Sequence, residues 1–264
     1  MKGTPMYSID LSGKTVLVAN VANKRSIAWA IAQRLQEAGA RLALSHLNER
    51  EEEAVRPLVQ ESGWADCRHF RCDASDDASV EALFKALTET YGRLDALVHA
   101  MAFAPREALS GLFLNTTRDA FRIALEVSAY SFTRLMQGAA PLMTDGGSAL
   151  TLTYMASEKV IPGYNVMGSA KAALEHAVRH LAAELGEQNI RVNAISAGPL
   201  NTLAARGVRG FVDMLQHHRE RAPLRRNITQ DEVAKAALFL LSDLGSGVTG
   251  ETLHVDAGYN IMGM

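Results

Sequence analysis

Tyr164 and Lys171 lie seven residues apart, with Gly163 before the tyrosine and a strongly patterned apolar segment after the lysine. Seven residues of α-helix make close to two turns, so this spacing sets a phenol and an ammonium on one helix face. An ammonium near a phenol lowers the phenol's pKa and favours hydrogen-bond donation to a developing oxyanion. The plain alternative is an exposed lysine beside an unrelated aromatic. Tyr154, ten residues before Tyr164, supplies a second phenol at the end of an apolar run; the alternative there is a buried tyrosine with a satisfied hydroxyl. Phe103, Met155, Met167, Phe211 and Met214 could line an apolar cleft, or simply fill core.

A different chemistry is suggested nearer the N-terminus, where Lys14 to Ala19 reads as a strand and Ser26 to Ala38 as a helix with Ile27, Ile31 and Leu35 on one stripe. The loop between them, Asn20 to Arg25, delivers the chain to a helix N-terminus, whose unpaired N–H groups and positive dipole end suit a pyrophosphate. Ser26 could add its hydroxyl. The loop contains no glycine, although dinucleotide fingerprints use glycines for close backbone approach. Asp73 could accept from an adenine amino group or cap the following loop. Cys67 and Cys72, with His69 between them, are too few for a zinc site and read as two buried or half-buried thiols. His217 and His218, adjacent on a helix, point in different directions and read as a solvated face.

Seven short apolar runs must position these groups. The strands are predicted over 14–19, 41–45, 67–72, 96–100, 148–154, 191–196 and 252–256, with helices over 26–38, 48–61, 78–91 and 172–185. Strands apolar at consecutive positions are covered on both faces, which predicts an α/β, Rossmann-like doubly wound parallel seven-stranded sheet with helices on both faces. No linker or repeat divides the chain, so residues 1–264 are read as a single domain. The less regular stretch from Pro199 to Thr229 is a candidate lid over the C-terminal ends of the strands, where ligands bind in such folds.

The bulk composition agrees. The 264 residues are 48% hydrophobic and 21% charged, enough apolar content for a large core and too much for a disordered chain. Twenty-seven basic against 29 acidic residues give a net charge of −2, so no global field favours nucleic acid as a partner. Two cysteines suit a reducing compartment. With no apolar leader and no run of about 18 apolar residues, the chain is expected to be cytoplasmic and not to engage a membrane.

Taken in order, Ser26-Ile27-Ala28, Asp73, His99-Ala100-Met101-Ala102-Phe103-Ala104-Pro105, Tyr154, Tyr164 to Lys171, Arg191 to Pro199 and His254 to Gly258 closely resemble the enoyl-acyl-carrier-protein reductases of the short-chain dehydrogenase/reductase superfamily. The resemblance runs from about Leu11 to Gly258. It implies reduction of the trans-2 double bond of an enoyl thioester, on acyl carrier protein or on CoA, by hydride from NADH, with NADPH as the other possibility. Tyr164 would hydrogen-bond the thioester carbonyl, Lys171 would hold the nicotinamide ribose, and Tyr154 would flank the substrate.

The resemblance also implies cofactor contacts at Asn20, Ser26, Ile27, Leu47, Asp73, Ala74, Met101, Lys171, Leu200, Thr202 and Ala204. Phe103, Ala104, Met167, Val208 and Phe211 would wall the acyl pocket, and no metal is implied. Family members usually form symmetric homotetramers.

This chain departs from the family at several positions. Asn20 and Ala102 replace glycines, and Leu47 replaces a polar residue near the adenosine ribose. Lys24, Arg25 and Arg50 lie close in sequence to where a 2′-phosphate would sit. Val212 and Asp213 stand where positive charge for an acidic carrier protein would be expected, leaving Arg209. Two further readings stay open: a carbonyl or 3-oxoacyl reductase using Thr153 or Ser157 beside the tyrosine, and a nucleotide-binding regulatory module with weakened catalysis.

Overall fold

A computed structural model describes residues 9–203, 205 and 210–263. Strand β1 (Thr15–Ala19) is buried along its whole length, and β2 (Arg41–His46) is buried from Leu42 onward. Between them runs α1 (Ile27–Glu37), started by Ser26, whose Oγ accepts the Trp29 N–H. Helix α2 (Glu49–Glu61) is capped by Asn48, and β3 (Arg68–Arg71) follows. Helix α3 (Asp77–Tyr91) ends at Gly92 in the left-handed conformation and leads to β4 (Ala96–His99).

The chain then forms α4 (Arg118–Leu125), a π-turn over Glu126–Tyr130 and α5 (Ser131–Ala139) before β5 (Gly147–Thr153). Helix α6 (Asn165–Leu185) and β6 (Ile190–Ala197) come next, then α7 (Phe211–Arg221), α8 (Gln230–Leu241) and β7 (Thr252–Val255).

All seven strands are parallel in the order β3-β2-β1-β4-β5-β6-β7. The seven strands and the doubly wound plan are those predicted. One core packs α1 and α8 against one face of the sheet, with Trp29, Ile31, Leu35, Val233 and Leu240 buried there. The other packs α3, α5 and α6 on the opposite face, with Leu83, Phe132, Leu135 and Leu174 at its centre. Burying each such side chain contributes roughly 1.5–3 kcal/mol.

The order reverses between β1 and β4. Ala19 and His99 end side by side there, and loops leaving in opposite directions open a crevice at the strands' C-terminal edge. No described helix is long and apolar enough to cross a membrane.

The structure corrects several boundaries. The third strand is shorter than 67–72, and as an edge strand it is half exposed. Helix α6 begins at Asn165, seven residues before the predicted start. Helices α4, α5 and α8 were not predicted, and α7 lies within the stretch read as irregular.

Candidate active site

Tyr154 follows directly on β5 in extended conformation, and the chain turns through Met155–Ser157 and Gly163 into α6. Gly168 permits that turn to pack closely, because a Cβ there would stand 2.7 Å from the Ala156 carbonyl oxygen. The close approach brings the two phenols together, with ring centroids 5.0 Å apart and planes at 62°. Tyr154 donates its O–H to Met214 Sδ on α7 at 3.4 Å. Lys171 is buried on α6 and donates from Nζ to the Leu152 carbonyl at 2.8 Å. Tyr154, Tyr164 and Lys171 all open on one cavity of about 450 Å³.

The electrostatics differ from the expectation. Tyr164 is not pushed down by the ammonium: burial raises its pKa, and neighbouring Tyr154 raises it further. Low-dielectric surroundings disfavour the phenolate more than Lys171, turned toward Leu152, favours it. Tyr164 therefore stays protonated and serves as a hydrogen-bond donor. Burial also raises Tyr154, to about 12, with Tyr259 and Asp256 adding to it.

Lys171 is pushed down to about 8 by burial, partly offset by the carboxylate of Glu175 one turn along α6. Glu175 is itself buried and accepts the Thr153 hydroxyl proton at 2.6 Å. The sequence reading missed it, although a carboxylate four residues after a lysine on one helix face was a usable signal. His99 is held between Thr151 Oγ1 and Ser131 Oγ at 2.7 and 2.8 Å. Burial, then the Lys171 charge, holds its pKa near 3, so it is neutral.

A second cavity of about 540 Å³ continues along the β1–β4 edge, sharing Ile27, Ala100, Ala102, Leu152 and Thr202 with the first. Its floor is the β1–α1 loop. Asn20 takes φ of 69° there, the left-handed conformation that asparagine tolerates. Its N–H donates to Ser45 Oγ at 3.0 Å, while the Val21 carbonyl meets His46 Nδ1 at 2.8 Å, so β2 anchors the loop.

The Ser26 hydroxyl is committed locally. It donates to the Asn23 carbonyl at 2.7 Å and accepts the Trp29 N–H at 3.1 Å. Helical geometry leaves the N–H groups of Ile27 and Ala28 without intrahelical partners, and both residues line the cavity. Helix α1 carries no acidic residue in its first turn, so its positive end is not neutralised.

Not every predicted residue reaches the cleft. Met101, Phe103, Ala104, Met167, Leu200, Thr202 and Phe211 line it. Leu47 is exposed and lines neither cavity, and Asp73 and Ala74 stand apart from both. Asp73 Oδ1 accepts from the N–H and hydroxyl of Ser75 at 2.9 and 2.6 Å, the loop-capping role. Met155 is buried outside the cleft. Ala204, Val208 and Arg209 lie outside the described residues. Lys24 and Arg25 do not line the cavity; Arg25 reaches Asn201 Oδ1 at 3.5 Å. Asn23, Asn48 and Glu51 were missed as lining residues, although Asn48-x-x-Glu51 carries a helix-start pattern at the end of β2.

His218 corrects the solvated reading: it is buried, stacks on Tyr259 at 4.7 Å and meets Asn227 Oδ1 through Nδ1 at 3.1 Å. His69 pairs with His46, Nδ1 to Nε2 at 2.8 Å, and both cysteines are buried free thiols. Among the described residues no group of three or more His, Cys, Asp or Glu side chains converges to hold a metal.

Comparison with known proteins agrees with this geometry. A family model described as enoyl-(acyl carrier protein) reductase matches residues 21–260. The chain is 52% identical over 259 residues to the enoyl-acyl-carrier-protein reductase (NADH) FabI of Synechocystis sp., covering 97% of this chain and 100% of the relative. It is 48% identical over 254 residues to the Bacillus subtilis protein of the same name, covering 96% and 98%.

Among solved structures, the Bacillus cereus enoyl-acyl carrier protein reductase with NADP+ and indole naphthyridinone superposes with a TM-score of 0.94 at 48% identity, over 96% of this chain and 99% of that one. The Anaplasma phagocytophilum enzyme in complex with NAD gives 0.90 at 47% identity, over 96% and 94%. With both its sequence and its fold matched across nearly the whole chain, the protein belongs to the enoyl-(acyl carrier protein) reductase family.

Proposed function

We propose that this chain reduces the trans-2 double bond of an enoyl thioester carried on acyl carrier protein, with NADH as the reductant. The observation that carries the reading is the meeting of Tyr154, Tyr164 and buried Lys171 on one apolar cavity that runs into a crevice at a helix N-terminus. A dinucleotide fits that crevice. It spans the reversal of strand order, its α1 dipole is uncompensated, and Asn20 Oδ1 is shut off from water without a hydrogen-bond partner.

The N–H groups of Ile27 and Ala28 would hold the pyrophosphate, with Met101, Leu200 and Thr202 further along the wall toward the nicotinamide. Reduced nicotinamide, when bound, supplies a hydride from C4 to the β-carbon of the substrate. Tyr164, kept protonated, donates to the thioester carbonyl oxygen and stabilises the enolate that develops there; such donors contribute about 10²–10³ in rate. Lys171, protonated below about pH 8, would present its ammonium to the nicotinamide ribose and keep the local potential positive. Tyr154 closes the substrate's flank through its contact with α7. Phe103, Ala104, Met167 and Phe211 enclose the acyl chain and exclude water, with the 199–229 segment as the lid.

Carbonyl reduction is not favoured, because the Thr153 hydroxyl is committed as a hydrogen-bond donor to Glu175 and Ser157 does not line either cavity. The weakened-module reading loses its motive, since Asn20 takes the left-handed conformation and Ala102 lines a cleft that remains open. A homotetramer is consistent with the exposed Phe121 and Tyr130 on the segment before α5; sedimentation at several concentrations tests it. Mixing the protein with NADH and a crotonyl thioester and following nicotinamide absorbance tests the activity. Steady oxidation is expected, and folded protein that turns over a 3-oxoacyl thioester but no enoyl thioester contradicts it.

A further inference from the structure

The adenosine end of the cleft carries a charge that the proposed reaction has not used. Among the described residues lining the 540 Å³ cavity, Glu51 is the only carboxylate and Arg50 the only cation. Glu51 is held in place. Its N–H donates to Asn48 Oδ1 at 3.1 Å, and its Oε2 accepts the Leu47 N–H at 3.0 Å. Leu47 is the first residue beyond β2, so this carboxylate is pinned at the C-terminal end of the strand beside which a doubly wound fold seats the adenosine ribose.

With one oxygen engaged by Leu47, the second is left to accept a hydrogen bond. A ribose 2′-hydroxyl can donate that bond, whereas a 2′-phosphate brings about two negative charges against a fixed negative charge. Glu49 and Glu52 add to the negative field of the same first turn of α2, although Glu52 is paired with Arg56. Arg50 opposes this field, but it is exposed and therefore screened by water and salt more than the tethered carboxylate.

We infer that Glu51 is the residue that selects NADH over NADPH in this chain. The inference rests on the NADH-dependent reading above and sharpens it. Glu51 also has a structural part, because its carboxylate ties the start of α2 to the Leu47 N–H at the end of β2, so the informative change keeps the acceptor and removes only the charge. Glu51→Gln does this, because the amide oxygen of glutamine can still accept the Leu47 N–H. In that variant Arg50 becomes the uncompensated charge on the wall.

Equilibrium titration of NADH and NADPH against the wild-type chain and Glu51→Gln, with thermal unfolding of both proteins, reads the effect without turnover. Wild type is expected to bind NADH more tightly than NADPH by about tenfold or more. Glu51→Gln should narrow that gap about tenfold, mainly by tightening NADPH, with the unfolding temperature unchanged. ADP and 2′,5′-ADP should show the same pattern, which confines the effect to the 2′ position.

A gap that Glu51→Gln leaves unchanged overturns the inference. So does a fall in both affinities together with the unfolding temperature, which would mark Glu51 as a structural tie alone. Wild-type protein that binds neither nucleotide would overturn the reductase reading itself, and a wild type that prefers NADPH would overturn the inference while leaving reduction intact.

Discussion

At its nucleotide end the cleft is walled by groups that the sheet itself fixes: Asn20 tied to Ser45, Val21 tied to His46, and the N–H groups of Ile27 and Ala28 at the head of α1. At its acyl end the walls are side chains delivered by turns and by α7: Phe103, Met167, Phe211 and Met214. Hydrogen bonds from β2 hold the first set in place, while the second can repack. A ligand of invariant shape suits the first end, and acyl chains of varying length suit the second. Tyr164 and Lys171 line the acyl end, and Lys171 bonds the Leu152 carbonyl at the junction that both cavities share.

Substitutions of these two residues should separate chemistry from binding most sharply. Tyr164→Phe is expected to lower kcat by about 10²-fold or more while leaving NADH affinity within about twofold; steady-state kinetics with nucleotide titration checks both halves. A kcat within a few-fold of wild type would remove the phenol from the reaction.

Lys171 gives the next largest effect, read through pH. Its pKa is held down to about 8, so above that pH the ammonium is lost and kcat/KM should fall by about tenfold per pH unit. His99, held near 3, and Tyr154, raised to about 12, do not titrate in that window. Tyr164, also pushed up, does not either. Glu175→Gln removes a group that raises the lysine's pKa and should move the alkaline limb to lower pH.

Linkage fixes the accompanying sign. A lysine whose folded pKa lies below its ordinary 10.5 costs stability while it must be protonated, so the fold should grow more stable as pH rises from about 8 toward that value. Thermal unfolding across the range checks it, in a window where activity falls.

Phe211→Ala tests the adjustable end. Loss of its apolar wall should raise KM for the enoyl thioester roughly tenfold and leave NADH binding unchanged. At the rigid end, Asn20→Gly is expected to have the smallest effect. It removes a non-glycine residue at φ 69° and a buried oxygen without a partner, so unfolding should occur about 2–4 °C higher, for a gain of about 1 kcal/mol. A lower unfolding temperature would show that the side chain supports the loop.

The same contrast decides what was legible in the sequence. Strands such as Thr15–Ala19 and Ala96–His99 announce themselves because burial on both faces demands unbroken apolar runs. Helix α4 does not, because small residues build its inner surface: Ala120 and Ala124 are buried there, followed by Ser128 and Ala129 in the π-turn, whereas α5 buries a stripe of Phe132, Leu135, Met136 and Ala139 that was readable and was missed. Gly138 lets α5 press on α3, since a Cβ would come within 2.1 Å of the Phe84 ring. In α4 and the π-turn, close packing of small residues leaves no stripe of large apolar side chains to count.

In the site, the Tyr164 to Lys171 spacing was readable because one helix carries it. The burial that raises the phenol's pKa comes from segments distant in sequence, with Tyr164 packed against a cluster that includes Ala108, Ala120 and Ala124. Leu47 was expected at the cofactor on position alone, whereas a capping hydrogen bond at the start of α2 puts Glu51 on the wall.

In the proposed reaction hydride passes to the β-carbon while Tyr164 holds the carbonyl oxygen. NADH carrying deuterium at both C4 positions, incubated with a trans-2-enoyl-acyl carrier protein, tests it directly. The expected product is a saturated acyl chain with one deuterium on C3 and a solvent proton on C2. Deuterium on C2, deuterium on a reduced carbonyl carbon, or a saturated product without label would contradict it.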